Sequence, residues 1–144
     1  MATPLNNLAK ASFYSAKGTA VPIYRPGEIN LIKVEAHVRK ASPDLTAAVT
    51  ELNKILTKDP ATDAYGIGTG MATTSGANTA SAILDEIYKQ RCVELFLTGL
   101  RLEESRRFNR PGPGTAGAER TRNFMPYPFS ERDNNSNTPA DLAN

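Results

Sequence analysis

The sequence predicts a mostly α fold of antiparallel helical hairpins, with long irregular loops and an irregular C-terminal tail. Apolar residues recur at helical spacing in three windows, around residues 29–38, 45–56 and 83–96. The first two windows are joined by only a few residues, which forces an antiparallel pair. Proline and glycine collect between and after the windows, where they interrupt helices.

The first helix begins near Pro26, since proline suits a first helical position, where its missing N–H has no partner to lose. Glu28 follows in the first turn, where the helix dipole favours an anion. Ile29, Ile32 and Ala36 form one apolar row, and Leu31, Val34 and Val38 an adjacent one. The helix is expected to end at Lys40 or Ala41. The second helix is expected to open with Ser42 as N-cap, Pro43 at the first position and Asp44 in the first turn. Leu45, Ala48, Val49, Leu52, Ile55 and Leu56 give it one apolar stripe, and Asp59-Pro60 stops it.

Residues 61–79 are rich in Gly, Thr, Ala and Ser and form a long loop of a composition open to mobility. The third helix runs from about Ala80 to Leu97, with Ile83, Leu84, Ile87, Tyr88, Leu95 and Phe96 in its core rows. Gly99 ends or kinks it, and a short fourth helix covers about Arg101 to Phe108. Arg110-Pro111-Gly112-Pro113-Gly114 cannot be helical. The tail beyond is expected to be irregular and pinned by Phe124, Tyr127 and Phe129. The organisation is one domain over residues 1–144: an irregular lead-in at 1–22 (with apolar anchors Leu5, Leu8, Phe13 and Tyr14), a hairpin at 23–58, a loop at 59–79, helices at 80–108 and a tail at 109–144.

At 144 residues, with 40% apolar and 22% charged residues, the composition is that of a globular domain. A net charge of +2 gives no field that argues for nucleic acid. The kind of base is more telling. All seven lysines precede Arg91, whereas Arg91 onward holds eight arginines, no lysine and seven interleaved acids. Arginine suits planar, partly buried ion pairs, so this half reads as an internal ion-pair network rather than an anion-binding surface.

Little else in the sequence carries chemistry. Cys92 is the one cysteine and lies in an apolar helical pattern, which suits a buried small side chain. His37 is the one histidine and has no metal-ligand spacing around it. Glu103 and Glu104 are adjacent on a helix and point about 100° apart, so they cannot serve one glycosidic bond together. Gly66, Gly68 and Gly70 lack the strand and the Lys-Ser/Thr that a phosphate loop needs. Tyr65 is the one aromatic placed as a possible sugar platform, with anchoring of the loop as its plainer role. No cofactor and no metal are called for. Met1 to Lys10 lack the apolar stretch of a signal peptide, so the chain is expected either to act in the cytoplasm or to be a piece of something longer.

Four stretches in order carry a family resemblance. Arg91-Cys92-Val93-Glu94-Leu95-Phe96-Leu97-Thr98-Gly99-Leu100-Arg101, closing with Arg106-Arg107-Phe108, resembles the signature of the SusD/RagB family. Tyr24 to Ala36, Ala48 to Ile55 and Phe124 to Glu131 resemble its flanking segments. Thr98 stands where the family has an acid, and Leu100 where it has a histidine. The resemblance implies tetratricopeptide-like helical pairs and a non-catalytic outer-membrane lipoprotein. It would partner a SusC-type TonB-dependent transporter and bring it an oligosaccharide or peptide nutrient. Full members are longer and carry a lipid-anchor cysteine, so the implied role here is the helical scaffold. Arg91, Glu94, Arg101 and Arg106 are expected to form a structural ion-pair lock between the last helices and the returning tail. The alternative is a cytoplasmic helical-repeat scaffold for protein partners.

Overall fold

The structure is a computed structural model that describes residues 18, 21–74 and 79–141. The lead-in anchors Leu5, Leu8, Phe13 and Tyr14, and loop residues 75–78, lie outside the described residues. Five helices and no strand are found among those described: α1 Pro26–Arg39, α2 Leu45–Leu56, α3 Ala80–Glu94, α4 Arg101–Arg107 and α5 Phe129–Asn134. The fold class is thus mostly α. The chain divides into two compact units, Met1–Thr98 and Gly99–Asn144.

In the first unit α1 and α2 form a hairpin, and α3 packs on both. Proline does open α1, and the residue before it, Arg25, holds the extended N-cap conformation. The start of α2 differs from expectation. Its N-cap is Asp44, whose Oδ1 accepts the Ala47 N–H at 2.9 Å. Ser42 and Pro43 remain in the link, and the Asp44 N–H closes it on the His37 carbonyl at 3.0 Å. Both Ser42 and Asp44 can cap, but the helical conformation begins at Leu45, directly after Asp44. This carboxyl is held below its usual range, first by the Ala47 N–H. Helix α3 starts on the Thr79 hydroxyl, which accepts the Ala82 N–H at 3.2 Å.

The core is built from Leu31, Val34 and Val38 of α1, Ala48, Leu52, Ile55 and Leu56 of α2, and Ile83, Ile87 and Tyr88 of α3. Only one of the two apolar rows of α1 enters it; Ile29, Ile32 and Ala36 face outward. Helix α3 ends at Glu94 rather than Leu97. Leu95 stays buried while Phe96 is exposed. Leu97 adopts φ 62°, a left-handed conformation that turns the chain out of the helix.

The loop after α2 is tied back to the end of that helix as far as Thr74. Gly70 and Met71 donate backbone N–H groups to the Lys58 and Leu56 carbonyls at 3.0 and 2.7 Å. The Thr69 hydroxyl also donates to Leu56 at 3.1 Å, and the Thr74 N–H donates to Asn53 Oδ1 at 2.8 Å. The two bonds to Leu56 satisfy a carbonyl that the helix C-terminus leaves open. Gly68 is needed there because a Cβ would strike the Lys58 carbonyl. Ile67, buried, anchors the loop in the core.

The second unit starts with α4 and a turn at residues 108–119, in which the Glu119 N–H bonds the Pro111 carbonyl at 2.9 Å. The tail beyond is irregular except for α5, which the sequence reading missed. Pro128, with φ −53°, is preset for a helix start, and its carbonyl accepts the Glu131 and Arg132 N–H groups at 3.0 and 3.1 Å. Of the three aromatics expected to pin the tail, Phe124 lies under the Arg106 guanidinium at 5.2 Å, whereas Phe129 is 75% exposed.

Candidate functional site

The most concentrated chemistry of the first unit surrounds Glu94, the last residue of α3, which is 1% exposed. A carboxylate this deep needs a partner, because desolvating an unpaired charge is very costly. Lys58, just past the end of α2, supplies it with a close ion pair to Oε1. The same ammonium lies 3.5 Å from Asp63 Oδ2 in the loop. Arg25, the buried N-cap of α1, donates from Nη1 to the Glu94 backbone carbonyl. One carboxylate and its own carbonyl thus gather α1, the end of α2 and the loop onto the end of α3. Gly27 makes this possible: the Glu94 carboxylate fills the space that a Cβ at residue 27 would occupy.

Asp63 organises the loop side. Its Oδ1 accepts the Tyr65 and Ile67 N–H groups at 2.9 and 3.0 Å. Burial pushes its carboxyl up, but the Ile67 and Tyr65 N–H groups and the Lys58 ammonium outweigh this and hold it below the usual range. Tyr65 lies beneath Arg25, with the guanidinium 5.8 Å from its ring centre, inside the range of a cation–π contact. Gln90 also reaches the loop, its Oε1 lying 3.3 Å from the Thr69 hydroxyl oxygen.

Between these groups lies a cavity of about 80 Å³, lined by Arg25, Gly27, Lys58, Asp63, Tyr65 and Glu94 among others. Small-molecule sites run to roughly 300–1,000 Å³. This one has room for a few waters and none for a sugar ring or a peptide. Of its three cations, Lys54 pairs with Glu51 of its own helix, and Arg25 and Lys58 balance the two carboxylates. The geometry therefore suits holding elements together rather than receiving a ligand. Among the described residues, no three His, Cys, Asp or Glu side chains come together as a metal site.

The four residues singled out in sequence fall into two groups. Arg91 and Glu94 are both on the buried face of α3 in the first unit. Arg101 and Arg106 are on α4 in the second. Arg101 meets Glu119 at 3.0 Å and Arg106 meets Glu103 at 2.9 Å. Arg110 binds the other Glu119 oxygen at 2.9 Å, so one carboxylate joins α4 to the turn that follows. Arg25, Lys58 and Asp63 were missed as site residues. Their sequence signals are ordinary, namely a base before Pro-Gly and a Lys-Asp pair at a helix stop. His37 and Cys92 are both half-buried and stand outside the cluster.

A helical hairpin closed by a third helix, with its buried Glu94 carboxylate paired to Lys58, defines an all-helical class. More specifically, the chain belongs to the SusD family, whose model matches residues 8–143. No curated protein and no solved structure matches the chain. Members of this family are in general non-catalytic nutrient-binding proteins, associated with the outer membrane and paired with SusC-type transporters. No helix among the described residues is long and apolar enough to cross a membrane.

Proposed function

We propose that this chain is a non-catalytic component of outer-membrane nutrient uptake, supplying the helical scaffold of a protein that partners a SusC-type TonB-dependent transporter. The nutrient is a glycan or a peptide. The observation that carries the reading is the family match over residues 8–143. The Glu94 cluster supports it, because Lys58 takes both of its carboxylates, Glu94 and Asp63, and its cavity is too small for a nutrient.

The hairpin of α1 and α2 with α3 laid across it is read as tetratricopeptide-like pairing. Arg91 and Glu94 act in fastening α3 within the helical unit. Arg101 and Arg106 fasten α4 within the unit of residues 99–144. The protein is held at the outer membrane through a lipid anchor on the complete gene product.

The test is co-purification from bacterial outer membranes, with the tagged gene product as bait and the transporter encoded beside it as target. Recovery of the transporter, with a panel of oligosaccharides and peptides left uncleaved, is the expected result. Product release from any of them, or no transporter recovered, overturns the reading.

A further inference from the structure

An arginine-rich stretch among carboxylates tends to neutralise itself, and most of the unit at residues 99–144 does so. Glu119 is shared by Arg101 and Arg110 at 3.0 and 2.9 Å, Glu103 takes Arg106 and Glu104 takes Arg107, each at 2.9 Å, and Asp141 takes Arg132 at 3.0 Å. Two arginines stay outside this pairing. Arg120 donates only to neutral oxygens: Asn123 Oδ1 at 2.9 Å, the Arg110 carbonyl at 2.6 Å and the Ser105 carbonyl at 3.4 Å. Arg122 is exposed and meets no carboxylate among the described residues.

Both arginines line a cleft of about 470 Å³ on this unit. That volume falls within the roughly 300–1,000 Å³ of small-molecule sites. The one carboxylate in its wall, Glu119, is already shared between two guanidiniums, so the cleft carries uncompensated positive charge. Leu102 and Met125 add an aliphatic surface, with Met125 70% exposed, and the lining contains no aromatic ring.

We propose that this cleft binds a small aliphatic carboxylate. Arg122 presents its guanidinium fork to the carboxylate, Arg120 supplies a second positive charge held in place by its neutral acceptors, and Leu102 and Met125 cover the aliphatic body. A planar fork matches a carboxylate in two parallel hydrogen bonds. The flexible thioether of methionine suits an aliphatic group better than it suits a sugar face. This site is separate from the transporter pairing and stands or falls without it.

The test is titration of the full chain with N-acetyl-leucine, followed by amide NMR and calorimetry. Controls are N-acetyl-leucinamide, glucuronate and inorganic phosphate. Saturable shifts around residues 118–125 with N-acetyl-leucine, and none with the amide, are expected. Glucuronate and phosphate, which keep the anion and lack the aliphatic body, should bind at least about tenfold more weakly, on the order of the loss of two buried CH2 groups. Arg122→Ala, an exposed position that leaves the fold intact, should lower affinity by about tenfold or more, and Arg122→Lys should fall between, keeping the charge without the fork. The proposal is overturned by an absence of saturable shifts or by equal binding of the amide. Glucuronate or phosphate binding as tightly, or an unchanged affinity in Arg122→Ala, overturns it as well.

Discussion

The carboxylate of Glu94 lies against the Cα of Gly27, in the space that any side chain at residue 27 would have to enter. Gly27 is the second residue of α1 and has an ordinary helical conformation, so glycine is required for room rather than for backbone freedom. Gly27→Ala should destabilise the protein by about 1–3 kcal/mol, the usual cost of overpacking a filled site. Urea unfolding checks this, and an unshifted midpoint would show that the carboxylate does not sit there.

Leu97 has the opposite sign. It is a branched residue at φ 62° and is half exposed, so it bears the cost of a left-handed conformation and has little packing to lose. Leu97→Gly should raise stability by up to about 1 kcal/mol. A thermal melt that moves down instead would mean that the Leu97 side chain is needed.

Asp63 makes stability depend on acid. Its folded carboxyl is held below the ordinary value, so the unfolded chain takes up a proton first as pH falls. The stability that Asp63 provides is therefore complete above about pH 4 and is lost as pH drops through the folded value. Asp63→Asn should flatten this acid limb and leave less stability at neutral pH. It should also speed hydrogen exchange at the Tyr65 and Ile67 amides, whose acceptor it weakens. Acid unfolding curves that superimpose for the two proteins would refute the assignment.

In the second unit, Arg101 is 51% exposed in its pair with Glu119. Arg101→Ala should therefore cost only about 0.2–1 kcal/mol, as exposed pairs do. Glu119→Ala should cost more, because it releases Arg101 and Arg110 together. Equal losses in denaturant titration would remove Glu119 from its bridging place.

The sequence made much of the helical frame legible and little of the ionic one. Pro26 marked the start of α1, and Ala48, Leu52, Ile55 and Leu56 of the α2 stripe reached the core, while Leu45 and Val49 stay half-buried. The two rows of α1 look alike in sequence, and nothing local says that Leu31, Val34 and Val38 are the pair of turns that α2 and α3 cover. The start of α2 was misplaced by a few residues because Ser42 and Asp44 are both competent caps and only the built turn selects one.

Glu94 was recognised, but its helical spacing drew attention to Arg91. Lys58 is far from it in sequence, and Arg25 lies 69 residues away. Contacts of that range follow from how the hairpin packs, and no spacing rule reports them. Helix α5 hid among Pro126 and Pro128 because proline reads as a breaker, although Pro128 here starts the turn.

We read the Glu94 cluster as a structural fastening and not a ligand pocket. The most direct test is a double-mutant cycle on Lys58→Met and Glu94→Leu, read by urea unfolding. Lys58→Met should cost about 3–5 kcal/mol, because it strands the buried Glu94 carboxylate, and Glu94→Leu should cost less, because Lys58 keeps Asp63 as a partner. The double variant should cost less than the sum of the two by at least about 2 kcal/mol, since it removes both charges together. Additive losses, or single changes each costing under about 1 kcal/mol, would show that these charges do not fasten the helices.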